Sequence, residues 1–162
     1  MKEYNEFIIR DDLISLYRNI TISENPDLTI SQAECFDIIL NDSNILVGVI
    51  SYRYHNDPNY IDYAGNINYR IKEEYRGNGY AKRALLLMIE VLKKNTKFDQ
   101  PLFIASTNYN EDYLKVAQEC GGKLIHSGYV PKNVIDSYYD KEMRYVNLYR
   151  IDIEKTKGGK KL

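Results

Sequence analysis

Residues 66–94 read NINYRIKEEYRGNGYAKRALLLMIEVLKK, and this stretch constrains the fold more tightly than any other. At its start Ile67, Tyr69 and Ile71 alternate with Asn66, Asn68 and Arg70, the period of a strand with one buried face. At its end Ala81, Ala84, Leu85, Met88 and Leu92 fall on one stripe of a helix. Between the two stand Arg76, Gly77 and Gly79. A strand must therefore turn into an amphipathic helix through backbone that is nearly bare. Without Cβ atoms, the N–H groups of such a turn can converge on an anion and let it come close. The helix behind it adds about half a positive charge at its N-terminus, and Arg76 adds a whole one. Lys82 and Arg83 stand in the first helical turn, where cations oppose the helix dipole. Their placement makes more sense if a polyanion docks there. The alternative is a tight turn with a solvated Arg76.

The flanking segments supply the remaining elements. FIIRDD reads as a short strand, and LISLYRNI as a helix, because Leu13, Leu16, Tyr17 and Ile20 keep i, i+3, i+4, i+7 spacing. Ser31 with Glu34 resembles a capping box before another short helix. CFDIIL and ILVGVISYRY, split by NDSN, give a hairpin signal, and HNDPN is turn-like. FDQPLFIAST holds a short buried strand after Pro101. In EDYLKVAQECGG, Glu111 and Asp112 suit the positive end of a helix and Gly121-Gly122 its stop. KLIHSGYV and MRYVNLYRIDI are the last strands. This order predicts an α/β fold, a mixed and mostly antiparallel twisted sheet flanked by helices.

The bulk numbers exclude several classes. A chain of 162 residues, 44% apolar and 28% charged, is expected to form one globular domain over 1–154 without disulfides or a metal. Residues 155–162, KTKGGKKL, read as a flexible Lys/Gly-rich tail. A net charge of −1 argues against a general affinity for nucleic acid. No long uncharged apolar run and no secretory leader are visible, so a cytoplasmic protein without membrane contact is expected. Cys35 and Cys120 form no metal or redox motif and read as buried thiols. His55 and His126 are isolated and read as surface or satisfied histidines.

Two nucleotide-binding templates fail on this turn. A Walker loop, G-x-x-x-x-G-K-[ST], has no match, and in a G-x-G-x-x-G fingerprint Lys82 would occupy the third glycine. A third template fits. RGNGYA, residues 76–81, matches the [RQ]-x-x-G-x-[GA] pyrophosphate motif of the GNAT superfamily of acyl-coenzyme A-dependent N-acyltransferases. The strand–turn–helix around it resembles that family's core, and FIASTNYNEDYLKVAQECGGKLI resembles the strand and helix that follow it. The resemblance covers roughly residues 45–153 and is closest to the branch of simple acetyltransferases whose last helix ends in G-G. The first forty residues align poorly.

The resemblance implies an acetyl-CoA N-acetyltransferase in which the backbone amides of Arg76, Gly77, Asn78, Gly79, Tyr80 and Ala81, with Lys82 behind them, hold the pyrophosphate. It implies that the strand at Arg70, Ile71 and Lys72 bonds the pantetheine arm, where a backbone N–H can polarise the thioester. It also implies that Asn110 contacts the cofactor, although a helix cap explains that residue equally well. A direct transfer to an amine needs a base and often an acid. The family's usual tyrosine acid falls on Ala117, a departure. Tyr113, one turn earlier on the same face, is the substitute acid; Asp62 is the candidate base. The acceptor would be an amine of a small molecule or a peptide. A homodimer through the last strands is compatible with the fold. The competing readings are a non-catalytic acyl-CoA sensor and a regulatory domain that binds ATP or NAD.

Overall fold

The computed structural model describes residues 5–20, 33–54, 65–106, 111–129 and 145–154. Among them lie β1 (Asn5–Arg10), β2 (Ile14–Asn19), β3 (Ala33–Leu40), β4 (Leu46–Arg53), β5 (Ile67–Ile71), α1 (Tyr80–Lys94), β6 (Leu102–Ser106), α2 (Glu111–Glu119), β7 (Lys123–Tyr129) and β8 (Tyr145–Ile151). The strands form a five-stranded sheet, β1-β2-β3-β4-β5, and a three-stranded sheet, β6-β8-β7. Every strand pair whose register is described is antiparallel. The chain divides into two compact units. One comprises Met1–Tyr54, Asn68–Gln100 and Ile153–Leu162; the other comprises His55–Ile67 and Pro101–Asp152.

In the first unit, the helix predicted over LISLYRNI is the strand β2. Ile14 and Leu16 are fully buried, whereas Leu13, the first residue of the helical pattern, is 40% exposed. The Asp11 carboxylate decides the matter. Its Oδ1 accepts the N–H groups of Leu13 and Ile14, both at 2.8 Å, and bends the chain into a hairpin between β1 and β2. β2 then pairs with β1 on one side and β3 on the other. The capping box predicted at Ser31 and Glu34 meets a similar end. Ser31 lies outside the described residues, and Glu34 lies in β3, where its carboxylate accepts Nε and Nη2 of Arg18 on β2 at 3.0 and 3.3 Å. It is a cross-strand ion pair.

α1 buries Ala84, Leu85, Leu87, Met88, Ile89 and Leu92 and packs against β1 and β2. Its C-cap, Asn95, donates from Nδ2 to the hydroxyls of Tyr52 (3.0 Å) and Tyr54 (2.7 Å), and Phe98 packs edge-on against both rings. Burial and the Tyr54 hydroxyl push the Tyr52 phenol far above its ordinary range. Tyr52 stays protonated in this setting, and its ring packs against Phe36, Tyr54 and Phe98.

The second unit is tied by a buried asparagine. The Asn66 side chain donates to Pro101 O (2.9 Å) and accepts Phe103 N–H (2.8 Å), and its own N–H donates to Phe103 O (3.0 Å). Gly65 precedes it at φ +78°, where a Cβ would come within 2.5 Å of Phe103 O. α2 packs on β6 and β8. It ends in a Schellman motif: Gly121 N–H donates to Gln118 O (3.0 Å) and Gly122 N–H to Ala117 O (2.8 Å). Gly121 supplies the left-handed φ of +95°, and a Cβ on Gly122 would strike Ala117 O at 2.7 Å. Both glycines of the G-G stop are thus required, for different reasons.

Candidate functional site

β5 ends at Ile71, and a single 3-10 turn, Glu73–Tyr75, leads into the glycine turn. Glu73 and Glu74 are exposed. Gly77 and Gly79 adopt φ of +83° and +78°, and a Cβ on either would meet nothing within 4 Å. Backbone conformation requires these glycines, not crowding, and the space beside them is open. The Asn78 side chain closes the turn from within, its Nδ2 donating to Tyr75 O at 2.9 Å and Arg76 O at 3.4 Å.

Gly79 is the N-cap of α1, so the first N–H groups of the helix receive no side-chain cap, and no acidic residue stands in the first turn. Tyr80, Ala81 and Lys82 are half-buried there. Arg83 departs from the anion role expected of it. Its Nη1 donates to Asp11 Oδ2 and Asp12 Oδ1, both at 2.9 Å, so its charge is balanced by the β1–β2 turn. Burial opposes ionisation of Asp11. The N–H groups of Ile14 and Leu13 and the Arg83 guanidinium outweigh it, and hold the carboxyl below its ordinary 3.8.

The end of β5 is held closely. Lys72 N–H donates to Val47 O (2.8 Å) on β4, and Arg76 Nε donates to Ile71 O (3.0 Å). A bulge in β4 between the pairs Ile38↔Gly48 and Ile39↔Leu46 leaves Val47 unpaired with β3. At Gly48 the two strands nearly touch, and a Cβ there would lie 2.3 Å from Arg70 O. Gly48 is the site-forming residue that the sequence reading missed. Its signal was present, since a lone glycine inside a strand pattern marks a bulge or a close backbone approach.

Arg70, Ile71 and Lys72 and the turn Arg76–Lys82 are therefore brought together in one unit. Tyr113 is half-buried on α2 in the other unit, and Ala117 is fully buried. Asp62, Asn110 and His55 lie outside the described residues. Among the described residues, no group of three or more His, Cys, Asp or Glu is placed to hold a metal ion, and no helix is long and apolar enough to cross a membrane.

The family model described as "Acetyltransferase (GNAT) domain" matches residues 10–123. The chain belongs to the GNAT acetyltransferase family. That match begins well before the residues that carried the resemblance in sequence, and takes in β2 and β3. No curated protein sequence matches the chain. Among solved structures, an apo form of RimL, a ribosomal L7/L12 alpha-N-protein acetyltransferase, aligns with a TM-score of 0.67 at 15% identity, over 91% of this chain and 98% of that one. RimL in complex with coenzyme A aligns with a TM-score of 0.57 at 20% identity over 76% of this chain, which spans only 64% of that structure's length. A GNAT-family acetyltransferase from Bacillus anthracis aligns with a TM-score of 0.56 at 19% identity, over 75% and 67% of the two chains. At these identities the likeness is one of fold. It is the GNAT fold, α/β with antiparallel sheets and flanking helices, as the sequence led us to expect.

Proposed function

We propose that this GNAT chain transfers an acetyl group from acetyl-CoA to a primary amine of a peptide or small molecule. The observation that carries the reading is the turn Arg76–Ala81. It has two left-handed glycines beside open space and a helix N-terminus with neither a cap nor an acidic residue. These residues fit a pyrophosphate, because converging N–H groups and a helix dipole favour anionic oxygen. One of the RimL structures similar to this chain is a complex with coenzyme A, a ligand that carries such a pyrophosphate. In our reading, acetyl-CoA supplies an activated thioester for direct attack by a neutral amine.

The residues of this chain would bind and orient. Gly77, Asn78, Gly79, Tyr80 and Ala81 would hold the pyrophosphate through backbone N–H groups. Lys82 would add charge. N–H groups alternate sides along a strand. Lys72 N–H faces β4, so the Ile71 N–H faces the other edge of β5, where β5 is the last strand of its sheet. That edge would pair with the pantetheine arm, with Arg70 and Lys72 flanking it. Tyr113 is assigned as the acid for the departing thiolate and Asp62 as the base; Asn110 would contact the cofactor. Ala117, filled into the core, takes no part. Neither Cys35 nor Cys120 forms a disulfide; Cys120 is buried as expected, whereas Cys35 is only half-buried. RimL is an alpha-N-protein acetyltransferase, which favours testing peptide acceptors first.

The test is calorimetric titration with acetyl-CoA, ATP and NAD, using wild type, Gly79→Trp and Gly79→Ala. Gly79→Ala imposes the backbone strain without bulk. We expect saturable acetyl-CoA binding that Gly79→Trp abolishes and Gly79→Ala only weakens, and thiol release when an amine is added. Preference for ATP or NAD would overturn the reading. Binding without thiol release across a broad amine and peptide panel would leave an acyl-CoA sensor.

A further inference from the structure

The sequence assigns Arg76 a charge for an anion. The structure gives its Nε a different partner, the carbonyl of Ile71 at 3.0 Å, five residues back at the last position of β5. That carbonyl shares with the Ile71 N–H the edge of β5 turned away from β4, a free edge among the described residues, because both groups of one strand residue point to the same side. On the opposite side the same segment is fixed by Val47 O on Lys72 N–H and by the close approach of Gly48 to Arg70 O. The strand end is thus held from β4 on one side and from the glycine turn on the other.

We propose that Arg76 is a positioning residue: through Nε it ties the start of the glycine turn to the Ile71 carbonyl, so that the turn's N–H groups and the free edge of β5 move as one piece. This rests on the acetyl-CoA reading above. In that reading the two parts bind opposite ends of the ligand's pantetheine arm, and their separation must be held for the thioester to meet its N–H donor. The donor matters here and the charge does not.

Side-chain geometry separates the two roles. Glutamine Nε2 stands the same number of bonds from Cα as arginine Nε, so Arg76→Gln keeps the donor and removes the charge. Arg76→Lys keeps the charge one bond further out, and Arg76→Met keeps the length with neither. Each variant is followed by acetyl-CoA titration and steady-state kinetics at two salt concentrations, and by amide hydrogen exchange at residues 77–81 in the ligand-free protein. We expect Arg76→Met to lose roughly tenfold or more in kcat/KM, chiefly in kcat, with faster exchange in the turn. Arg76→Gln restores most of both, and its acetyl-CoA affinity keeps the wild-type dependence on salt, because the charge it removes is not one that acts on the ligand. The proposal is overturned if Arg76→Gln is as impaired as Arg76→Met while Arg76→Lys matches wild type, or if exchange in the turn is the same in all four proteins. Failure of the wild type to bind acetyl-CoA counts against the function proposed above; the exchange measurement still decides the tether.

Discussion

Single residues in this chain are held to their identities by different forces, and substitutions should separate them. At Gly77 and Gly79 only φ is demanding, since no atom lies where a Cβ would go. Alanine at either position should cost about 1–2 kcal/mol, the left-handed penalty of an L-residue, and Gly79→Asn should cost less, because asparagine visits that region more readily. Thermal unfolding of the two variants side by side reads the difference. Asp11 is held by its hydrogen bonds. Its carboxyl titrates below 3.8 in the folded state, so its contribution is complete above that pH and fades as pH falls through the lowered value. We expect Asp11→Asn to unfold at a lower Tm than wild type at pH 6, and the gap to narrow by pH 3. A gap unchanged with pH would remove the carboxylate from this role. Sequence alone shows an aspartate before an apolar run, which fits a helix cap as well as the hairpin turn it makes, because the same side-chain chemistry serves both.

Among the elements, those whose pattern had one meaning were legible. α1 runs where its stripe predicted, between a glycine turn and Asn95, and β5 keeps the alternation read from Ile67, Tyr69 and Ile71. The turn was found because two glycines, an arginine and a helix stand in fixed order. β2 was misread because Leu13, Leu16, Tyr17 and Ile20 happen to keep helical spacing across a six-residue strand and the residue on either side of it; pairing with β1 and β3 outweighs so short a pattern. The contacts of Arg83 with Asp11 and Asp12 and of Arg76 with Ile71 were invisible, because nothing in a sequence states where a long side chain ends. The β4 bulge gives a prediction at this scale. Gly48→Ala must push β5 away from β4, since the atom in the way is the Arg70 carbonyl and not a flexible side chain. It should destabilise the protein by about 2 kcal/mol and lower turnover more than acetyl-CoA affinity, read from Tm together with kcat and Kd. Wild-type turnover would show that β5 does not need that spacing.

At the scale of the molecule, the family model at residues 10–123 takes in segments of both compact units, and we propose that residues 1–154 work as one domain. A chain ending at Glu154 should then match full-length protein in Tm and acetyl-CoA affinity; a loss in either would give residues 155–162 a part in the domain. The link from Arg83 to Asp11 and Asp12 has a bearing on how such a chain is made. The hairpin that carries both aspartates is complete within the first nineteen residues, while the guanidinium that neutralises Asp11 follows it by 72 positions. At about 5–20 residues per second of synthesis, that interval is roughly 4–14 s. If the hairpin forms on the nascent chain, both carboxylates would stand for that time without their guanidinium. A newborn chain would thus carry a local negative charge that Arg83 offsets only in part in the finished protein.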